Sequence, residues 1–155
     1  MGLIDDLGSG PVGLDTAIFI YFVEEHAEFL GLVEPLFVGL DGGRWSAVTS
    51  SLTLLEVLVV PYRAGDTALA ERYEALLSRS RGLRLVDLDR PLLRAAARLR
   101  AAVSVKTPDA IQLAAALGTR CTSFVTNDRE LPPVPGIRIV QLRNYLAPRR
   151  RPRRH

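Results

Sequence analysis

The chain has 155 residues, 48% apolar, 24% charged and 6% aromatic, the size and balance of one folded domain with an ordinary core. Two histidines, His26 and His155, and one cysteine, Cys121, exclude a zinc cage, a disulfide framework and paired catalytic histidines, so any metal or acid–base chemistry falls to Asp and Glu. The formal charge of +3 is a property of one end: without Arg149, Arg150, Arg151, Arg153 and Arg154, the 20 basic residues fall to 15 against 17 acidic ones.

Residues 1–11, Gly-rich and acidic without periodicity, are expected to be a flexible lead-in. Val12 to Leu14 reads as a strand ending at Asp15, and Thr16 to His26 as a helix with Ile18, Phe19, Phe22 and Val23 at helical spacing. A second helix is expected from about Ala27 to Leu40, closed by Gly42 and Gly43, before a strand at Trp45 to Thr49. Ser51 is placed to cap a helix whose Leu52, Leu55, Glu56 and Val59 share a face, with Pro61 as its end or kink. Asp66 caps the next, carrying Leu69, Tyr73, Leu76 and Leu77. Leu83 to Leu88 reads as a strand, Asp89 caps a helix with Leu92, Ala96, Leu99 and Val103, and Thr107 with Pro108 opens another. Thr122 to Thr126 and Ile137 to Val140 complete the strands. Strands separated by one or two helices predict an α/β sandwich with a mainly parallel sheet, because parallel neighbours need crossover connections.

Ligands of such sheets bind beyond the carboxyl ends of the strands, and four acids fall on or near that rim. Asp15 and Asp128 follow strands, where an ordinary helix cap or turn is the plainer reading. Asp109 lies in the first turn of its helix, where the macrodipole already favours an anion. Glu56 sits inside an apolar run from Leu52 to Val60 and is expected to be buried, so it needs a partner, a proton or a metal; an ion pair with one of the 19 arginines is the plain alternative. Lys106, the single lysine, reads as a surface residue or a phosphate contact.

Taken together, Gly13-Leu14-Asp15-Thr16, Thr49-Ser50-Ser51-Leu52-Thr53-Leu54-Leu55-Glu56-Val57, Pro108-Asp109-Ala110-Ile111-Gln112-Leu113-Ala114-Ala115-Ala116 and Phe124-Val125-Thr126-Asn127-Asp128-Arg129 resemble the PIN domain family and, within it, the VapC-type toxins of bacterial toxin–antitoxin pairs. Ala17 departs from the family, which often has Asn there. The resemblance implies a three-layer α/β/α sandwich with a five-stranded parallel sheet over residues 12–146, leaving an Arg-rich tail at 147–155 that is expected to be disordered. It further implies that Asp15, Glu56, Asp109 and Asp128 converge in one acidic pocket.

Carboxylates about 5 Å apart at an effective dielectric of about 20 repel by roughly 3 kcal/mol, so four together call for protons or a cation. Oxygen ligands alone point to Mg2+, with Mn2+ as a substitute. Asp15 and Asp109 are the expected direct ligands, with Glu56 and Asp128 acting through water or a second ion, and Thr16, Thr126 and Asn127 as supporting polar residues. The implied activity is Mg2+-dependent hydrolysis of RNA phosphodiester bonds, leaving 5′-phosphate and 3′-hydroxyl ends, by a toxin that a cognate antitoxin inhibits. Arg44, Arg129 and the tail are candidates for holding RNA, and Phe19, Tyr21, Phe22 and Tyr62 for part of an antitoxin groove. A homodimer is expected. No apolar run reaches the roughly 18 residues of a membrane span, and the acidic N-terminus with a lone Cys favours the cytoplasm. Two other readings stand beside the nuclease: a catalytically silent PIN-like module that binds RNA or protein, and a phosphotransfer domain using Asp15 as nucleophile, for which the second acid two residues on is missing.

Overall fold

Five short segments, β1 (Val12–Leu14), β2 (Ala47–Ser50), β3 (Leu83–Val86), β4 (Ser123–Thr126) and β5 (Arg138–Gln141), form a single sheet in a computed structural model that describes residues 2–147. The order is β3-β2-β1-β4-β5 and every pairing is parallel, with Gly13 opposite Val48 on one side and Phe124 on the other. Seven α-helices are described: α1 (Leu3–Leu7), α2 (Thr16–Val23), α3 (Leu30–Asp41), α4 (Leu52–Ala64), α5 (Thr67–Arg79), α6 (Arg90–Ala102) and α7 (Thr107–Gly118). No helix among the described residues is long and apolar enough to cross a membrane.

Strand alternation sorts the side chains into two cores. Val12, Leu14, Ala47, Val125 and Val140 pack with Ile18, Phe19, Val33, Leu36 and Tyr73 beneath α2 to α5. Val48 and Phe124 point the other way, onto Leu113 and Ala116 of α7, and α7 in turn packs against Leu92 and Ala96 of α6. The result is the expected α/β/α sandwich. Gly13 sets how closely α7 lies on the sheet, because a Cβ there would stand 2.8 Å from Phe124 and 2.9 Å from Ala116.

The flexible lead-in is corrected. Residues 3–7 form a short helix that buries Leu3 and Leu7, while Asp6 accepts from the Tyr145 hydroxyl and its backbone carbonyl accepts from Arg138. A single i, i+4 apolar pair is too short to register as periodicity, so only the tertiary contact reveals it. The Arg-rich tail lies outside the described residues from 148 on.

Helix α4 differs more. Its buried face is Thr53, Val57, Leu58 and Pro61, whereas Leu55, Val59, Val60 and Tyr62 are exposed. In a run apolar on nearly every side, periodicity cannot choose the inward face. Ser51 makes no side-chain cap bond, and Pro61 neither ends nor bounds the helix, which continues to Ala64 and stops at Gly65 with φ +66°. The second predicted helix also starts later than expected, at Leu30. Asp66 and Asp89 cap their helices as read, accepting from Leu69 and Leu92.

Candidate active site

Strand β1 connects onward to β2 on one side and has β4 on the other, so the sheet's switch point lies between the carboxyl ends of β1 and β4. Asp15 stands there, one residue past β1, with its backbone N–H donating to the Val125 carbonyl at 3.0 Å. Its carboxylate is clamped from both sides: Thr16 N–H donates to Oδ1 at 2.9 Å and the Thr126 hydroxyl to Oδ2 at 2.7 Å. Thr126, fully buried at the end of β4, also accepts from the Asp128 N–H at 3.1 Å. Asp128 is thereby tied to Asp15 through one hydroxyl, while its own loop is held by Glu130 N–H on Oδ1 and the Gln141 amide on its carbonyl.

Asp109 reaches the same place from the first turn of α7. Its pKa is pushed up to about 6 by burial first, then by the charges of Asp15 and Asp128; Lys106 opposes the shift and Glu56 adds to it. Asp15 is also raised, by burial above all and by Asp128, against the two hydrogen bonds that favour its ionised form. Asp109 therefore feels the charge of each of the other three acids, and Asp15 that of Asp128. The expected ion pair is not how Glu56 is held: the ion pair found among the described residues joins Arg138 to Asp6. Nor is Glu56 buried as its sequence neighbours imply. It lies on the exposed side of α4 and accepts from the Thr16 hydroxyl at 2.8 Å.

Asp109 and Asp128 open into a cavity of about 360 Å³ lined also by Arg100, Ser104, Lys106 and Glu130, among others. Cations thus border the acidic centre. Arg100 is pinned there, donating to the Val105 carbonyl at 3.1 Å and to the Thr107 hydroxyl at 2.8 Å. Arg129 is exposed next to Asp128, but Arg44 precedes β2 and so lies at the opposite end of the strands.

Of the supporting residues, Thr16 and Thr126 touch the acids and Asn127 does not. The Asn127 carboxamide donates to the Tyr21 hydroxyl and accepts from Arg143, so it braces the loop instead. Phe19 is core, not groove, at 0% exposure. Phe22 stacks on Phe37 and, with Val38, Leu76 and Arg72, lines an open groove between α3 and α5.

Sequence reasoning missed the layer behind the acids. Gln112, Thr53, Thr49 and Ser50 are buried and hydrogen-bonded to one another beneath Thr16. The available signal was a glutamine inside an otherwise apolar helical segment, since a buried amide must find partners.

Among the described residues, no three carboxylate, imidazole or thiolate groups close into a metal cage. An all-oxygen donor set with half-buried Asp15 and Asp109 under mutual repulsion still suits Mg2+, which is commonly held by one or two carboxylates and otherwise by water and substrate phosphate.

The PIN domain family profile matches residues 12–137. No curated protein sequence matches. Solved structures do: a toxin–antitoxin complex from Klebsiella pneumoniae has 22% identity and a TM-score of 0.63, covering 86% of this chain and 98% of that one. DNA-bound VapBC from Salmonella typhimurium has 26% identity and a TM-score of 0.58 over the same shares of the two chains, 86% and 98%. Mycobacterium tuberculosis VapC20, a Sarcin-Ricin loop cleaving toxin, has 16% identity and a TM-score of 0.62, covering 77% of this chain and 91% of that one.

Proposed function

This chain belongs to the PIN domain family, and from that premise we propose that it is a divalent-metal-dependent endoribonuclease, the toxin of a toxin–antitoxin pair. The observation that carries the reading is electrostatic: Asp15, Asp128 and Glu56 all raise the pKa of Asp109 at the sheet's switch point, with no ion-pair partner for any of them among the described residues. Such a cluster is costly unless it holds a cation.

Asp15 and Asp109 would hold Mg2+, or Mn2+ in its place, with Glu56 and Asp128 acting through water or a second ion. Bound there, the ion would supply Lewis-acid polarisation of the phosphodiester and activation of water. The chain's own residues orient the reactants. Thr126 and the Thr16 N–H fix the plane of the Asp15 carboxylate, and the same Thr126 hydroxyl sets the position of Asp128. Glu56 faces solvent at the edge of the cluster, where it can accept a proton. Lys106 and the pinned Arg100 offset phosphate charge beside the acids, which would otherwise repel RNA. The groove carrying Phe22, Val38 and Leu76 is the surface we assign to an antitoxin segment, in keeping with the Klebsiella toxin–antitoxin complex, and a homodimer completes the assembly.

The test compares cleavage of structured RNA by wild type and Asp15→Ala, in Mg2+ and in EDTA. Metal-dependent cleavage that the substitution abolishes is the expected result. Equal cleavage by both proteins, or none by either, would overturn the reading in favour of a catalytically silent module.

A further inference from the structure

The buried amide of Gln112 lies directly behind Thr16, and the partners of each atom determine which way its protons point. Ser50 N–H can only donate, and it lies 3.1 Å from one end of the carboxamide, so that end is Oε1. The Ser50 hydroxyl, at 3.0 Å, fills the second acceptor position of the same oxygen. Nε2 therefore faces the threonines, with one N–H toward Thr53 Oγ1 at 2.7 Å and the other toward Thr16 Oγ1 at 3.3 Å. The Thr49 hydroxyl has two neighbours that can only accept, the Leu14 carbonyl at 3.0 Å and Gln112 Oε1 at 3.3 Å, so its proton goes to one of them and Thr53 donates to it at 2.7 Å. Every donor is then used once. Thr16 receives an N–H from Gln112, and of its two remaining neighbours, Thr53 Oγ1 at 3.2 Å and the Glu56 carboxylate at 2.8 Å, its single proton goes to the nearer, charged acceptor, Glu56.

We propose that Gln112 is a positioning residue for Glu56: by presenting donors to Thr16, it commits the Thr16 proton to the Glu56 carboxylate and holds that side chain over the acidic centre. Nothing else described restrains Glu56, which is exposed, with Thr16 its one hydrogen-bond partner among the described residues. An exposed glutamate would otherwise spread over several rotamers. A glutamine at this site does what an acceptor cannot, since an acceptor facing Thr16 would draw its proton inward.

The catalytic consequence rests on the nuclease reading, so the experiment has a second arm that does not. The first arm is a double-mutant cycle in RNA cleavage with Gln112→Met and Thr16→Val. Each single variant is expected to lower kcat by about ten- to a hundredfold with KM little changed, and the double variant to lose no more than Thr16→Val alone. Thr16→Ser, which keeps the hydroxyl, is expected to restore the rate. The second arm is carbon-13 relaxation of the Glu56 side chain in EDTA: both variants are expected to loosen Glu56 alike and leave the exposed Glu34 unchanged. Gln112→Glu keeps the shape and the Ser50 acceptor, and it replaces Gln112→Met if that variant does not fold. Losses that multiply in the double variant, or a Glu56 as ordered in a folded Gln112 variant as in wild type, would overturn the proposal. If wild type cleaves no RNA, the nuclease reading fails and the relaxation arm alone decides.

Discussion

Replacing Asp109 by Asn is expected to stabilise the protein at neutral pH, although it removes a residue assigned to the active site. In the folded chain the Asp109 pKa is raised to about 6, chiefly by burial and then by Asp15 and Asp128, whereas an unfolded aspartate titrates near 3.9. Below about pH 4 both states are protonated and the site carries no penalty. Between about 4 and 6 the unfolded chain ionises first and stability falls; above about 6 the loss is complete. Unscreened, a difference of this size is worth about 3 kcal/mol. Because Asp109 is only half-buried, solvent screening reduces that to about 1 kcal/mol, or roughly 2–4 °C in Tm for a chain of this length. The assay is thermal unfolding by circular dichroism in EDTA from pH 4 to 8. Asp109→Asn is expected to melt higher by that margin at pH 7.5, with the advantage vanishing toward pH 4 and shrinking when Mg2+ is added to wild type. A variant that melts at or below wild type at pH 7.5, or an advantage independent of pH, would refute the electrostatic account of the site.

Other expectations follow from the same geometry. Gly13→Ala places a methyl group 2.8 Å from Phe124 and 2.9 Å from Ala116; an overpacking cost of about 1–3 kcal/mol, less a small gain from the stiffer unfolded chain, lowers Tm by roughly 2–6 °C. Pairing it with Ala116→Gly should recover part of that loss in the same melting assay, because one of the two clashes is removed. Arg100→Ala and Lys106→Ala are expected to raise KM for RNA with little change in kcat, each reducing the slope of log affinity against log salt by about 0.7, measurable by filter binding across a salt series.

Much of the fold was legible because its signals are local. Asp66 and Asp89 announce their helices by capping chemistry, Pro108 sits in the first turn of α7, and the short apolar runs became parallel strands because helices separate them. Asp15, Asp109 and Asp128 were likewise visible at strand ends and a helix start, and Glu56 as the charge that interrupts an apolar helical run. What failed did so where local pattern carries no direction. In α4, apolar residues ring the helix, so the spacing that puts Leu55 and Val59 on one face does not say which face is inward, and the fold buries Thr53 and Val57 instead. Asn127 reads like a companion of Asp128, yet its carboxamide serves Tyr21 and Arg143.

Composition limits the chemistry available: with two histidines and one cysteine among 155 residues, carboxylates are the ligands on offer. Local pattern also sets the order of strands and helices that carries those carboxylates to one rim. How they are held emerges with the packed fold. Glu56 is solvent-facing and governed by a hydroxyl forty positions earlier in the chain, and that hydroxyl is directed by an amide ninety-six positions beyond it. The physical reason is that periodicity and capping act within a few residues, whereas the direction of a shared proton is set by all the partners that surround it in space.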